Sequence, residues 1–196
     1  MDNLIQIIPV LTDEEVNELN EYIGEHLSFT QSNTLEGTKN EIGSYRTSTE
    51  CPLPRNTEIT QKLHLKLNSA LDEYKRRVLQ LHPGYNKHPL PGAPSTSSWR
   101  EDIRIIQYVK DQHYGFHHDQ GTMQCRSEYH RQISIILYLT DEFEGGETAF
   151  VHKSFKPEKG NAIIFPANWC YLHQGNPVTK GFKRIAVTWY YVDSLI

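Results

Sequence analysis

Apolar residues recur at three- and four-residue intervals in two stretches of the first half of the chain, and in alternation or short unbroken runs through the second half. The first spacing marks one face of an amphipathic helix, the second the faces of β-strands. After an isoleucine-rich run from Leu4 to Val10, read as a strand, Thr12-Asp13-Glu14-Glu15 forms a capping box able to satisfy the free amides of a helix start. Val16, Leu19, Tyr22, Ile23 and Leu27 then share one face of a helix running from Asp13 to about His26. A longer helix is predicted over Asn56 to Leu81 from Ile59, Leu63, Leu67, Leu71, Tyr74 and Leu79, ending before Pro83-Gly84. Between the helices, Ser28 to Glu41 reads as loop, and Ser44 to Ser48 as a short edge strand before a break at Cys51-Pro52-Leu53-Pro54.

Residues 82–99 hold four prolines and a cluster of small residues, which predicts a long loop, either a substrate-covering lid or a plain connection. From Trp99 onward the texture is β-rich, with strands expected over Ile103 to Tyr108, His113 to His117, Gln132 to Thr140, Thr148 to His152, Asn161 to Phe165 and Lys183 to Val192. Short strands separated by Gly, Asp and Asn turns imply a mainly β fold, a double-stranded β-helix or jelly roll, flanked and supported by the N-terminal helices. One domain over residues 1–196 is expected: helical support at 1–81, the proline-rich loop at 82–99 and the β-helix core at 100–193.

Composition changes this picture only by exclusion. An apolar fraction of 37% with no long apolar run gives no membrane span, and the N-terminus lacks the features of a secretory signal, so a cytoplasmic protein is expected. Cys51, Cys125 and Cys170 are odd in number and widely spaced, the pattern of reduced thiols and not of a disulfide framework or zinc ribbon. A net charge of -4 gives no electrostatic reason to bind nucleic acid, and Lys75-Arg76-Arg77 reads as a solvated helix end.

The candidate chemistry lies in YGFHHD, residues 114–119. On an extended strand His117 and Asp119 point to one side and His118 to the other, so His117 and Asp119 can share a metal ion. Among the later histidines, His130 and His152 stand in polar surroundings, whereas His173 follows the apolar run AIIF and precedes a Gly175-Asn176-Pro177 turn. Two histidines and one carboxylate leave open metal positions, as in non-haem Fe(II) oxygenases, whereas a closed zinc site needs a fourth protein ligand. On the last strand Lys183, Ile185, Val187 and Trp189 share the more apolar face, opposite Arg184, Ala186, Thr188 and Tyr190. If the first set faces inward, Lys183 is a buried cation that calls for an anion, such as a dicarboxylate cosubstrate.

These residues in order resemble the Fe(II)- and 2-oxoglutarate-dependent dioxygenases, and among them the prolyl 4-hydroxylase-like branch. The HxD…H triad matches His117, Asp119 and His173, and the basic residue ten positions after the distal histidine matches Lys183. HQGNPVTKGFK is similar to that branch's H-x3-PV-x2-G-x-K pattern, and RQISIILYLTDEFEGGETAF to its R-x6-YL…GGET segment. The likeness runs from about Glu101 to Tyr191. It implies that Tyr138 and Lys183 bind the distal carboxylate of 2-oxoglutarate with Tyr108 as a further partner, and that Glu101, Tyr114, Arg131 and Trp189 lie near a peptide or its target proline. It further implies Fe(II), 2-oxoglutarate and O2 as cofactors, with ascorbate as an optional reductant, and a proline-containing peptide or protein as substrate. No catalytic residue beyond the metal centre is called for. The loop between Asp119 and Arg131 departs from the pattern. Two other readings stay open: the same cofactor chemistry on a free amino acid, a lysyl or asparaginyl side chain or a small metabolite, and a non-catalytic jelly-roll binding module.

Overall fold

Helix α1 (Asp13–His26) begins where its capping box lies: the Thr12 Oγ1 accepts from the Glu15 amide at 3.3 Å, and the Glu15 carboxylate accepts from the Thr12 amide at 2.9 Å. Helix α2 (Glu58–Leu81) starts from the Thr57 cap. In this computed structural model the described residues are 2–32, 34–36, 39–41, 45–87, 98–120 and 129–193. No helix among them is long and apolar enough to cross a membrane.

The strands preceding α2 are β1 (Gln6–Pro9), β2 (Thr30–Gln31), β3 (Thr34–Glu36), β4 (Lys39–Glu41) and β5 (Thr49–Pro52). After it come β6 (Ser98–Arg100), β7 (Arg104–Tyr108), β8 (Tyr114–His117), β9 (Tyr129–Tyr138), β10 (Phe143–Gly145) and β11 (Thr148–Phe150). The last are β12 (Ser154–Phe155), β13 (Asn161–Pro166), β14 (His173–Gly175), β15 (Val178–Gly181) and β16 (Lys183–Asp193). The large antiparallel sheet runs β1-β13-β9-β16-β7-β5-β2, with β6 also paired to β16. A smaller sheet runs β12-β11-β14-β8, and β10-β15 form a separate pair. Two antiparallel sheets whose strands cross over in sequence make the expected jelly roll.

Both faces of the large sheet are covered. On one, Leu19 and Ile23 of α1 and Leu63, Leu67, Leu71 and Tyr74 of α2 pack with Ile105, Ile135, Leu137 and Ala186. On the other, Ile106, Ile136, Phe165, Ile185 and Val187 form the core that reaches Phe150 and Tyr171. This double burial explains why β9 reads as the nearly unbroken apolar run ISIILY and not as a clean alternation. It also corrects the choice between the two faces of β16, because both point inward: Lys183 enters the inter-sheet core, while Arg184 meets α1, donating to Asn20 Oδ1 at 2.8 Å.

Several expectations need correction in the connecting regions. The stretch from Ser28 to Glu41 holds β2 and the β3-β4 pair, two- and three-residue strands in which Leu35 is the one apolar residue, too short to leave a hydrophobic period. The strand expected at Ser44 to Ser48 lies later, at β5, where Pro52 ends the strand and costs little pairing. The 82–99 loop is shorter at both ends, since Pro83–Lys87 forms a 3-10 turn and β6 begins at Ser98. Its centre, 88–97, lies outside the described residues, as do Cys125 and most of the segment between Asp119 and Arg131. Cys51 and Cys170 are free thiols. The basic triplet is a paired helix face: Arg76 and Arg77 bind Glu73, and Lys75 binds Asp72.

Candidate metal centre

The antiparallel pairing of β14 with β8 sets His173 directly across from His117. Their imidazole centroids are 4.3 Å apart. Two residues past the end of β8, the Asp119 amide donates to the Ala167 carbonyl at 3.1 Å, which turns the chain so that its carboxylate faces both rings. Oδ1 lies 3.4 Å from His117 Nε2, and Oδ2 3.7 Å from His173 Nε2. His118 points to solvent, as strand parity requires. His152 is also exposed, and the side chain of His130 lies outside the described residues.

The donor set fits a divalent cation. One ligand atom from each of His117, Asp119 and His173 lies within 4.8 Å of the others. His117 Nδ1 is 2.9 Å from the Gly115 carbonyl and His173 Nδ1 3.1 Å from the Tyr171 carbonyl. A ring nitrogen facing a carbonyl oxygen must carry the proton, so both Nε2 lone pairs are free and converge on Asp119. That carboxylate is 7% exposed, and Ser134 gives it a neutral hydroxyl donor at 2.7 Å. A buried anion among neutral donors is the electrostatic complement of a metal ion.

Burial by itself would raise the Asp119 pKa, but His173, His117 and the nearby Trp189 indole outweigh it and hold the carboxyl far below the usual range. Burial pushes His173 down to about 4, against the opposing pull of Asp119. For His173 the unfolded chain therefore binds more protons between about pH 6.5 and pH 4, and stability rises with pH across that window. The metal-free protein is expected to lose stability as pH falls from 6.5 to 4, by an amount His173→Gln reduces; urea midpoints against pH measure it. An equal loss in the variant would show that His173 is not the titrating group.

A second cluster lies deeper between the sheets. Lys183 is only 2% exposed, and its Nζ donates to the Gly146 carbonyl at 2.7 Å while standing 5.1 and 5.2 Å from the Tyr108 and Tyr138 ring centres. Among the described residues it forms no ion pair with a carboxylate. Burial pushes it down to about 7, and Glu147 pulls it only partly back. Gly145 and Gly146 both have φ near +68, and a Cβ on Gly145 would collide with the Pro177 carbonyl, so the paired glycines allow the turn that aims the Gly146 carbonyl at Lys183. The Tyr138 hydroxyl is 2.7 Å from the Thr148 hydroxyl.

Two of the residues expected near a substrate adjoin the triad, Tyr114 at His117 and Arg131 at the Asp119 carbonyl. Tyr114 stacks on His117 with centroids 3.7 Å apart, and Arg46 lies 4.8 Å over the Tyr114 ring. Arg131 grips Glu101 through two hydrogen bonds of 2.6 and 2.8 Å and lies 3.7 Å over Trp189. Ser134, Thr148 and Arg46 were not singled out in the sequence. A lone serine in ISIILY, on the same strand face as Tyr138, was the available signal for the first.

Residues 103–192 match the family model described as the 2OG-Fe(II) oxygenase superfamily. The chain is 36% identical over 108 residues to a putative prolyl 4-hydroxylase of Acanthamoeba polyphaga mimivirus, covering 46% of this chain and 44% of that protein. It is 38% identical over 139 residues to a PKHD-type hydroxylase of Colwellia psychrerythraea, covering 68% of this chain and 55% of that one. The chain thus spans about half the length of these two relatives. Among solved structures, a viral collagen prolyl hydroxylase from Paramecium Bursaria Chlorella virus-1 shares the fold with TM-score 0.69 and 24% identity, over 96% of each chain. A Trichoplax adhaerens prolyl hydroxylase, solved with a hypoxia inducible factor peptide fragment, has TM-score 0.66 and 16% identity, over 96% of this chain and 84% of that one.

Proposed function

The chain belongs to the 2OG-Fe(II) oxygenase superfamily, and from that premise we propose that it hydroxylates proline in a peptide or protein, in the manner of a prolyl 4-hydroxylase, with 2-oxoglutarate converted to succinate and carbon dioxide. The observation that carries this reading is the presence of two buried charged groups between the sheets: the Asp119 carboxylate, held between His117 and His173, and the Lys183 cation, which forms no ion pair with a carboxylate among the described residues. A metal ion complements the first and the far carboxylate of a dicarboxylate the second.

His117, Asp119 and His173 would hold Fe(II), which with 2-oxoglutarate and O2 supplies the oxidising power to replace C–H by C–OH. The rest is positioning by this chain. The Gly115 and Tyr171 carbonyls, each facing an Nδ1, would leave both imidazoles to bind through Nε2. Lys183 and the hydroxyl of Tyr138 would anchor the cosubstrate, with Tyr108 beside them. Tyr114 and Trp189 would hold a flat apolar ring, while Arg131, kept in place by Glu101, would meet a peptide carbonyl. Three of the proteins described above carry the prolyl hydroxylase name, and one of them, the Trichoplax adhaerens protein, was solved with a peptide, which supports the choice of substrate.

Incubating the Fe(II)-loaded protein with 2-oxoglutarate and a panel of proline-containing peptides is expected to add one oxygen to a proline. Oxygen gained only by free amino acids or other side chains would overturn the peptidyl assignment while keeping the cofactor chemistry.

A further inference from the structure

We propose that Ser134 is a positioning residue for the Asp119 carboxylate, holding Oδ2 so that Oδ1 is the oxygen presented to the metal. This rests on the reading of His117, Asp119 and His173 as metal ligands. Ser134 lies in the inward row of β9 with Ile136 and Tyr138, paired in register to Phe165 of β13 on one side and Trp189 of β16 on the other. It is fully buried. In such surroundings a hydroxyl without a partner is costly, and the hydrogen bond that satisfies it is the 2.7 Å contact to Asp119 Oδ2.

The chemistry of the donor matters. A lysine or arginine there would neutralise the carboxylate and remove its need for a cation, whereas a hydroxyl directs one oxygen and leaves the negative charge intact. Oδ1 lies 3.4 Å from the His117 Nε2, free of the Ser134 contact. With Oδ2 engaged, rotation of the carboxylate about its terminal bond breaks a buried charge-assisted hydrogen bond. The serine thus restricts the ligand to one orientation before any ion arrives.

Co(II) is the probe, because it reports binding and coordination by its visible absorption without turnover. Ser134→Ala is expected to raise the Co(II) Kd about 10- to 100-fold, the usual effect of removing a partner of a metal ligand. The nearly isosteric pair Ser134→Thr and Ser134→Val separates the hydroxyl from packing: Thr should bind Co(II) within a few-fold of the parent, and Val should follow Ala, with a changed absorption envelope. An unchanged Kd in Ser134→Ala, or equal behaviour of Thr and Val, overturns the proposal. A parent protein whose Co(II) binding is insensitive to His117→Ala overturns the underlying metal reading instead.

Discussion

Replacing Lys183 by methionine is expected to raise the 2-oxoglutarate concentration needed for half-maximal turnover by about 10- to 100-fold, while the ligand-free protein becomes more stable. The two effects have one cause. Nζ is buried, and among the described residues its hydrogen-bond partner is the Gly146 carbonyl, so without an anion the charge is a liability in the core. A charge-assisted hydrogen bond to a bound carboxylate contributes on the order of 1.5 to 3 kcal/mol, hence the size of the loss in affinity. Methionine keeps most of the length and the apolar stem and removes the ammonium group, with its charge and its hydrogen bond to the Gly146 carbonyl. The sign of the pH effect follows from burial holding Lys183 at about 7 when folded, against 10.5 in its ordinary state. Between those values the unfolded chain carries the extra proton, so the parent's ligand-free stability rises with pH from 7 to 10.5, and the Met variant lacks that rise. Turnover against cosubstrate concentration and urea midpoints against pH measure both. Unchanged cosubstrate dependence would remove Lys183 from the binding site.

The other large effect separates two adjacent histidines. His117→Ala is expected to weaken Fe(II) or Co(II) binding by more than about 100-fold, beyond what loss of a supporting contact does, and to abolish oxygen transfer. His118→Ala should leave both within about twofold, since that ring is in solvent while His117 Nε2 faces Asp119 at 3.4 Å. Asp119→Ala should match His117→Ala in metal loss. Metal titration monitored by absorption gives the comparison; loss of metal from the His118 variant but not the His117 variant would mean that the strand is out of register by one residue.

The triad was legible because its cause is local in part. Parity along an extended strand separates His117 from His118 whatever the rest of the fold does. His173 was reachable through its flanks, an apolar strand before it and a turn after it. What parity could not give is the partner of each side chain. Lys183 was seen as a buried cation on one face of β16, but not that the opposite face is buried too, because the helices that cover it are more than a hundred residues away in sequence. Glu101 and Arg131 were named in one set of expected substrate neighbours, but they lie thirty residues apart and only the fold joins them in a two-bond pair against Trp189. The short strands β2, β3 and β4 left no trace, since two or three residues with Leu35 as their one apolar side chain make no hydrophobic period.

The sequence alone therefore determined the elements whose signal is periodic, the two helices and the core strands, together with the residue types that can hold a cation and an anion. Register and burial were decided by the tertiary structure. Which oxygen of Asp119 Ser134 holds, which carbonyl Lys183 donates to, and which imidazole nitrogen each histidine turns inward depend on strands brought side by side from distant parts of the chain. Hydrogen bonds of this kind are short-ranged and directional, so no spacing along one strand can specify them.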